Sequence, residues 1–436
     1  MIPSVYSVTD RITLRVCNTD RFKAGMLSVS VVQPIRREDV WLTSLLLSVL
    51  RRGTEKYPSL EQLNRRLDYL YGTELSIRNF YRGDLQIIGF CAEFLDDAYL
   101  PQGTEGLLDG ILDVMRQVLF HPLLDNGGNL LSHYVESEKQ QQCDQIRARQ
   151  NHARSYAADR CRELLYENEP CGAPVCGTVE DVMGVTAEQL TRHWRQLVSG
   201  MRLDCFSVGS MEATAIQSSL LRAFGGELVG MPSAIPSLTG ASEGRESPLH
   251  KEESLPVGQG NLVLGLHSGV SVSDAEFYAA AVYNEMLGVS PVSKLFVNVR
   301  ERESLCYHCS SVYNIYKGTL LISCGLDHSN RDRAEAAILS QIASLARGEF
   351  DEGELTAAKK SLENSYRLIS DSPTALESYY FGRALWGVDE SLEDCRARFG
   401  AVTRDEVIAF AERVRVDVIF YLHGTLAGEE GVDDVD

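Results

Sequence analysis

The chain has 436 residues, more than a single core of ordinary size accommodates, so two domains are expected. A hydrophobic share of 44% and a charged share of 24% are those of a globular protein. The net charge of −19, from 42 basic and 61 acidic residues, excludes a nucleic-acid binder that works by neutralising phosphate. The start, Met1-Ile2-Pro3-Ser4-Val5, lacks the basic flank and apolar core of a signal peptide, and the most apolar run, Leu42 to Leu50, is too short to span a bilayer. Eleven cysteines scattered without a repeating frame point to reduced thiols. A cytoplasmic protein without membrane contact is the expectation.

In chain order, Phe22 to Gln33 is strand-like and closed by Pro34. Val40 to Arg51 follows as a helix, with Leu42, Leu45, Leu46 and Val49 at helical spacing. Ser59 opens a capping box for a helix over Leu60 to Leu70. A strand pair, Leu75 to Phe80 and Leu85 to Phe90, is joined through Tyr81-Arg82-Gly83-Asp84. Two long helical segments are predicted at Glu105 to Leu119 and Asn129 to Leu165, then a strand at Asp204 to Val208 and a helix at Thr214 to Phe224.

The second half repeats this order. Leu262 to His267 reads as a strand, Ala275 to Leu287 and Val292 to Arg302 as helices, and Cys306 to Val312 with Leu320 to Leu326 as a strand pair. Helices are predicted at Arg331 to Ala346, Glu352 to Ile369 and Ala375 to Leu385. Tyr81-Arg82-Gly83-Asp84-Leu85 matches Tyr316-Lys317-Gly318-Thr319-Leu320, and Gly53 matches Gly288, both at an offset of 235 (316 − 81 and 288 − 53). One offset that holds across strand, turn and helix end points to an internal duplication. Gly225 to Leu255 is rich in Gly, Ser and Pro and reads as a linker, and Gly428 to Asp436 as an acidic tail. The fold class is α/β (α+β): two related halves, each a sheet packed with helices, with boundaries 1–225, a linker 226–258, 259–428 and a tail 429–436.

Several stretches carry a family resemblance. Ser44-Leu45-Leu46-Leu47-Ser48 followed by Gly53-Thr54 resembles the metal-binding helix of the M16 (pitrilysin/insulinase-like) zinc peptidases, where the pattern is His-x-x-Glu-His before a Gly-Thr turn. Gly172 to Thr178 is similar to the family's Pro- and Gly-rich segment, and Ala401 to Val407 to its Val-Thr helix start. Ser293 to Tyr307 is similar to the second-half segment that carries a substrate-binding arginine and, seven residues later, a tyrosine; here these are Arg300 and Tyr307. The resemblance implies two homologous M16-type halves with mainly antiparallel sheets.

It also implies a degenerate zinc site. Ser44 and Ser48 stand at the histidine positions, Leu47 at the catalytic glutamate, and Gln145 at the third ligand, with Glu138 at a supporting glutamate. A catalytic zinc needs about three Cys, His, Asp or Glu ligands, and Leu47 cannot act as a base. Catalytic residues and metal ligands are therefore expected to be none in this chain, and no cofactor is expected on it. Nine scattered histidines give no i, i+4 pair. Cys306 and Cys309, three apart on a predicted strand, are expected on opposite faces as core thiols.

Arg300 and Tyr307 both present donors, and donors aimed at a peptide carbonyl oxygen stabilise the charge that hydrolysis builds there. The resemblance thus implies a non-catalytic subunit that binds peptide substrate. It would pair as a heterodimer with an M16 paralogue bearing an intact zinc motif, as in mitochondrial processing peptidase, with zinc in the partner and no peptidase activity from this chain alone. The alternative is a pseudo-peptidase scaffold or peptide-binding protein without proteolysis, in line with zinc-less Gram-positive members associated with elongation factor P modification.

Overall fold

The apolar periods fold into two sheets whose central strands are buried on both faces. The computed structural model describes residues 2–101, 106–228 and 244–424. The chain runs through β1 (Ser4–Ser7), β2 (Ile12–Asn18), β3 (Ala24–Pro34), α1 (Val40–Leu50), α2 (Leu60–Tyr69) and the hairpin β4 (Glu74–Arg82) and β5 (Leu85–Leu95). Helices α3 (Leu107–Phe120), α4 (Ser132–Ala148), α5 (Ala153–Leu165), α6 (Val179–Met183) and α7 (Ala187–Val198) precede β6 (Leu203–Gly209) and α8 (Ala213–Phe224). The second half holds β7 (Leu249–Leu255), β8 (Gly260–His267), α9 (Phe277–Asn284), π-helical segments at Glu285–Val289 and Leu295–Arg302, and the hairpin β9 (His308–Asn314) and β10 (Thr319–Leu326). It ends with α10 (Arg331–Ala346), α11 (Glu352–Ile369), α12 (Pro373–Leu385), α13 (Leu392–Ala401), α14 (Arg404–Ala411) and β11 (Arg415–Gly424).

Strand order carries the duplication. The first sheet runs β1-β2-β6-β3-β5-β4 and the second β7-β11-β8-β10-β9. Apart from β1 the orders correspond one to one. The pairs β2/β6 and β7/β11 are the parallel ones, and all other pairings are antiparallel. The hairpins matched in sequence occupy the same place in each sheet, and both turn on a glycine in the left-handed region, Gly83 at φ +56° and Gly318 at φ +63°.

Two compact units result, and they cut across the sequence halves. One takes 2–147, 169–228 and 367–393; the other takes 148–168, 244–366 and 394–424. In the first unit, Leu27, Val29, Val31, Ile88, Phe90 and Phe94 face a core shared with α1, α3 and α8. The opposite face is lined by small residues such as Ser28, Ser30 and Gly89, and α12 packs on β3 and β6. In the second unit α5 packs on β8, β10 and β11, and Gly265 makes room for it: a Cβ there would lie 3.2 Å from Leu165 Cδ1 and 3.3 Å from Cys161 Sγ. Each sheet thus takes one covering helix from the other half of the sequence.

Three expectations need correcting. The single helix over Asn129 to Leu165 is two helices, broken at Arg149–Asn151, because Asn151 and His152 are weak helix formers and the chain changes unit there. The helices predicted at 275–287 and 292–302 are partly π-helical: the N–H of Ser290 bonds Glu285 O at 3.4 Å and that of Glu303 bonds Asn298 O at 3.1 Å. Within the expected linker, Leu249–Leu255 is the edge strand β7, whose His-Lys-Glu-Glu-Ser run shows no apolar period because most of it faces solvent. Part of that linker (229–243) and the expected acidic tail lie outside the described residues.

Gly318 offers a test of the second unit's turn. Its carbonyl accepts the N–H of Ser268 (2.9 Å), and a Cβ would sit 2.6 Å from Val270 O. Gly269 shares the left-handed conformation (φ +70°) but has only the end of Arg413 nearby, at 3.9 Å. Gly269→Ala should cost about 1–2 kcal/mol, whereas Gly318→Ala, adding a backbone clash, should cost roughly 3 kcal/mol or more. Hydrogen exchange of the β8–β10 amides measures both; equal costs would refute the assigned close approach.

Candidate functional site

Helix α1 ends where Gly53 passes under Pro58, and a Cβ there would lie 2.8 Å from Pro58 O. Buried Thr54 locks the turn, its N–H bonding Tyr57 O (2.8 Å) and its Oγ1 accepting the N–H of Tyr57 (2.9 Å). The Gly-Thr turn is therefore a packing device. On the helix, Ser44 and Ser48 share one face, but neither hydroxyl is free. Ser44 Oγ donates to Val175 O (2.9 Å) and accepts from Asn79 Nδ2 (2.8 Å); Ser48 Oγ donates to Ser44 O (3.2 Å). Leu47 is 5% exposed and belongs to the core cluster.

The facing helix α4 places Gln145 in solvent. Gln142, one turn earlier and buried, donates to Cys176 O at 2.8 Å. Glu138 is buried against the guanidinium of Arg52, which also donates to Ser137 Oγ at 3.2 Å. The consecutive carbonyls of Val175 and Cys176 thus take hydrogen bonds from α1 and α4 respectively. Gly177 lets this segment close: at φ +70° a Cβ would meet Trp41 Cγ at 2.9 Å. A committed hydroxyl pair and an aliphatic side chain do not fit a zinc ion here, since it needs anionic or imidazole donors.

The second locus lies at the π-helical segment Leu295–Arg302. Arg300 is 40% exposed, with its guanidinium 4.6 Å from the Phe296 ring centroid and its Nε 3.6 Å from Glu301. Tyr307 is 53% exposed, and its hydroxyl donates to Asp327 at 2.8 Å, which raises the phenol above its ordinary pKa. The two predicted residues flank one turn and both present their side chains at the surface. To serve as a donor to a ligand, the Tyr307 hydroxyl must leave Asp327, a partner on the far side of the hairpin that no local pattern announces.

Between them the strand expectation for Cys306 fails. β9 begins only at His308, so Cys306 escapes strand alternation and converges with Cys309 and Cys324. Hydrogen bonds from Cys309 and Cys324, helped by His308 and Arg300, draw the Cys306 thiol below its ordinary pKa, while both donor thiols are raised. The signal available in sequence was the third cysteine on the partner strand.

The profile described as the peptidase M16 inactive domain matches residues 184–362. The probable inactive metalloprotease YmfF of Bacillus subtilis (strain 168) is 28% identical over 416 residues, 95% of this chain and 96% of that one. The uncharacterized zinc protease YmxG of the same organism is 24% identical over 310 residues, 70% of this chain and 72% of that one. Among solved structures, a conserved protein from Enterococcus faecalis V583 aligns with TM-score 0.89 at 24% identity, covering 98% of this chain and 99% of that one. The peptidase M16 inactive domain from Pseudomonas fluorescens aligns with TM-score 0.79 at 15% identity, with 98% and 99% covered.

Leu47→Glu, which puts a carboxylate on the buried face of α1, tests the packing of that helix. Placing a carboxylate in this core without a partner should destabilise the first unit by about 3–5 kcal/mol. Trp41, Trp194 and Trp386 all lie in that unit, so tryptophan fluorescence during urea unfolding reads the loss directly. An unchanged midpoint would mean that the helix face is open to water as an active site requires.

Proposed function

We propose that this chain, which belongs to the M16 family of peptidases, is the non-catalytic subunit of a two-chain peptidase and contributes substrate-binding residues to a partner's zinc site. One asymmetry carries the reading. At Ser44, Leu47 and Ser48 every side chain is taken up by packing or hydrogen bonds, whereas Arg300 and Tyr307 lie at the surface, the one beside Glu301 and the other bonded to Asp327.

Under this reading the partner is an M16 paralogue with an intact His-x-x-Glu-His and the zinc is its own. Arg300 would hold a peptide carbonyl or carboxylate through charge-assisted hydrogen bonds, and Tyr307 would add a second donor on leaving Asp327. The location would be cytoplasmic, which suits eleven free cysteines. Among the described residues no helix is long and apolar enough to cross a membrane.

Co-expression with such a paralogue should yield a one-to-one complex that carries zinc and cleaves unfolded peptides, while this chain alone does not. Arg300→Ala should lower kcat/KM of that complex about 10- to 100-fold, with zinc content unchanged. Unchanged turnover in the variant complex removes the main support. A metal-free homodimer that ignores the paralogue favours instead a scaffold without proteolysis, including the link to elongation factor P modification.

A further inference from the structure

Cys309 on β9 and Cys324 on β10 are directly opposed in the antiparallel register, so their side chains leave the sheet on the same face. Cys306 reaches them by a different route. After the π-helical segment, Ser304 adopts φ +51°, a left-handed conformation that a residue with a side chain seldom takes. The turn is held on both sides: the N–H of Leu305 bonds Val299 O at 3.1 Å, and that of Tyr307 bonds Gly325 O at 2.8 Å. Leu305 is buried between these anchors. Cys306 is thereby fixed over the strand pair, and the three sulfur atoms all lie within 4.8 Å of one another.

We propose that Cys306, Cys309 and Cys324 form a three-thiolate site for a soft monovalent metal ion, Cu(I). Thiolate sulfur is the donor such ions select. With metal–sulfur bonds of about 2.3 Å, a trigonal site needs sulfurs about 4 Å apart, so modest side-chain rotation closes this triangle. Zinc fits less well: its structural sites take four ligands, and among the described residues no fourth Cys, His, Asp or Glu joins this group. His308 is adjacent in sequence, but its ring lies over Gly325, where a Cβ would come within 2.3 Å of it. Two sulfurs form a buried floor and Cys306, half-exposed, gives an entry path. Arg300, whose charge acts on Cys306, offsets the negative charge that three thiolates would gather. Binding exchanges thiol protons for metal bonds, with no change of oxidation state. An occupied site would fix the turn that holds Arg300 and Tyr307 on either side.

The test uses the full chain, reduced and kept under nitrogen, titrated with Cu(I) against the chromophoric chelator bathocuproine disulfonate. The wild type should withdraw one equivalent from the chelator, and X-ray absorption should show three sulfur neighbours. Cys176→Ser, which removes another half-exposed thiol, should behave as wild type. Cys306→Ser should lose the bound ion while keeping the wild-type circular dichroism spectrum and melting temperature, as befits a conservative change at a half-exposed position. Retention of Cu(I) by Cys306→Ser would overturn the assignment, as would failure of the wild type to compete. Preferential filling of the site by Zn(II) when both metals are offered would overturn the choice of ion.

Discussion

Burial of the central strands on both faces is the constraint from which the rest of the structure follows. β8 is buried along its whole length and β3 from Gly25 to Val31, so neither sheet can leave a face to water there. One face of each is covered by helices from its own half. The other takes α12 or α5, drawn from the opposite half of the sequence, and small residues such as Gly265 set how near the covering helix comes. Without those helices each sheet would expose an apolar surface that water penalises by roughly 25 cal/mol per Å².

The same requirement accounts for the character of α1. α1 supplies Leu45, Leu46, Leu47, Val49 and Leu50 to the core, and its Gly-Thr turn is fixed by contacts that owe nothing to a metal. Ser44 and Gln142 tie the 175–176 segment to α1 and α4 with neutral hydrogen bonds. Such bonds are modest individually, but unmade they would leave part-buried carbonyls without donors.

The second half of the chain behaves differently. Its helix leading to Arg300 widens into π-helical hydrogen bonding, a local departure that costs stability and is found mostly where a side chain has to be aimed. The turn that follows carries a strained Ser304, an anchored Leu305, a cysteine poised over two others and an exposed tyrosine bonded to Asp327. On α1 the side chains serve packing, while here the turn brings side chains to the surface.

The amino-acid sequence by itself determined the duplicated order of strands and helices, the two hairpins and their left-handed glycines, and the absence of His, Cys, Asp or Glu at positions 44, 47 and 48. These are legible because periodicity, turn chemistry and residue identity act over a few residues. Tertiary structure alone decided which helix covers which sheet, that Gln142 rather than exposed Gln145 turns inward from α4, that Tyr307 is held by Asp327, and that Cys306 meets Cys309 and Cys324. Each of these depends on where a strand starts or a helix breaks, to within one or two residues, and on contacts between segments far apart in the chain. A shift of one residue reverses the face on which a side chain emerges, and no local pattern fixes that shift.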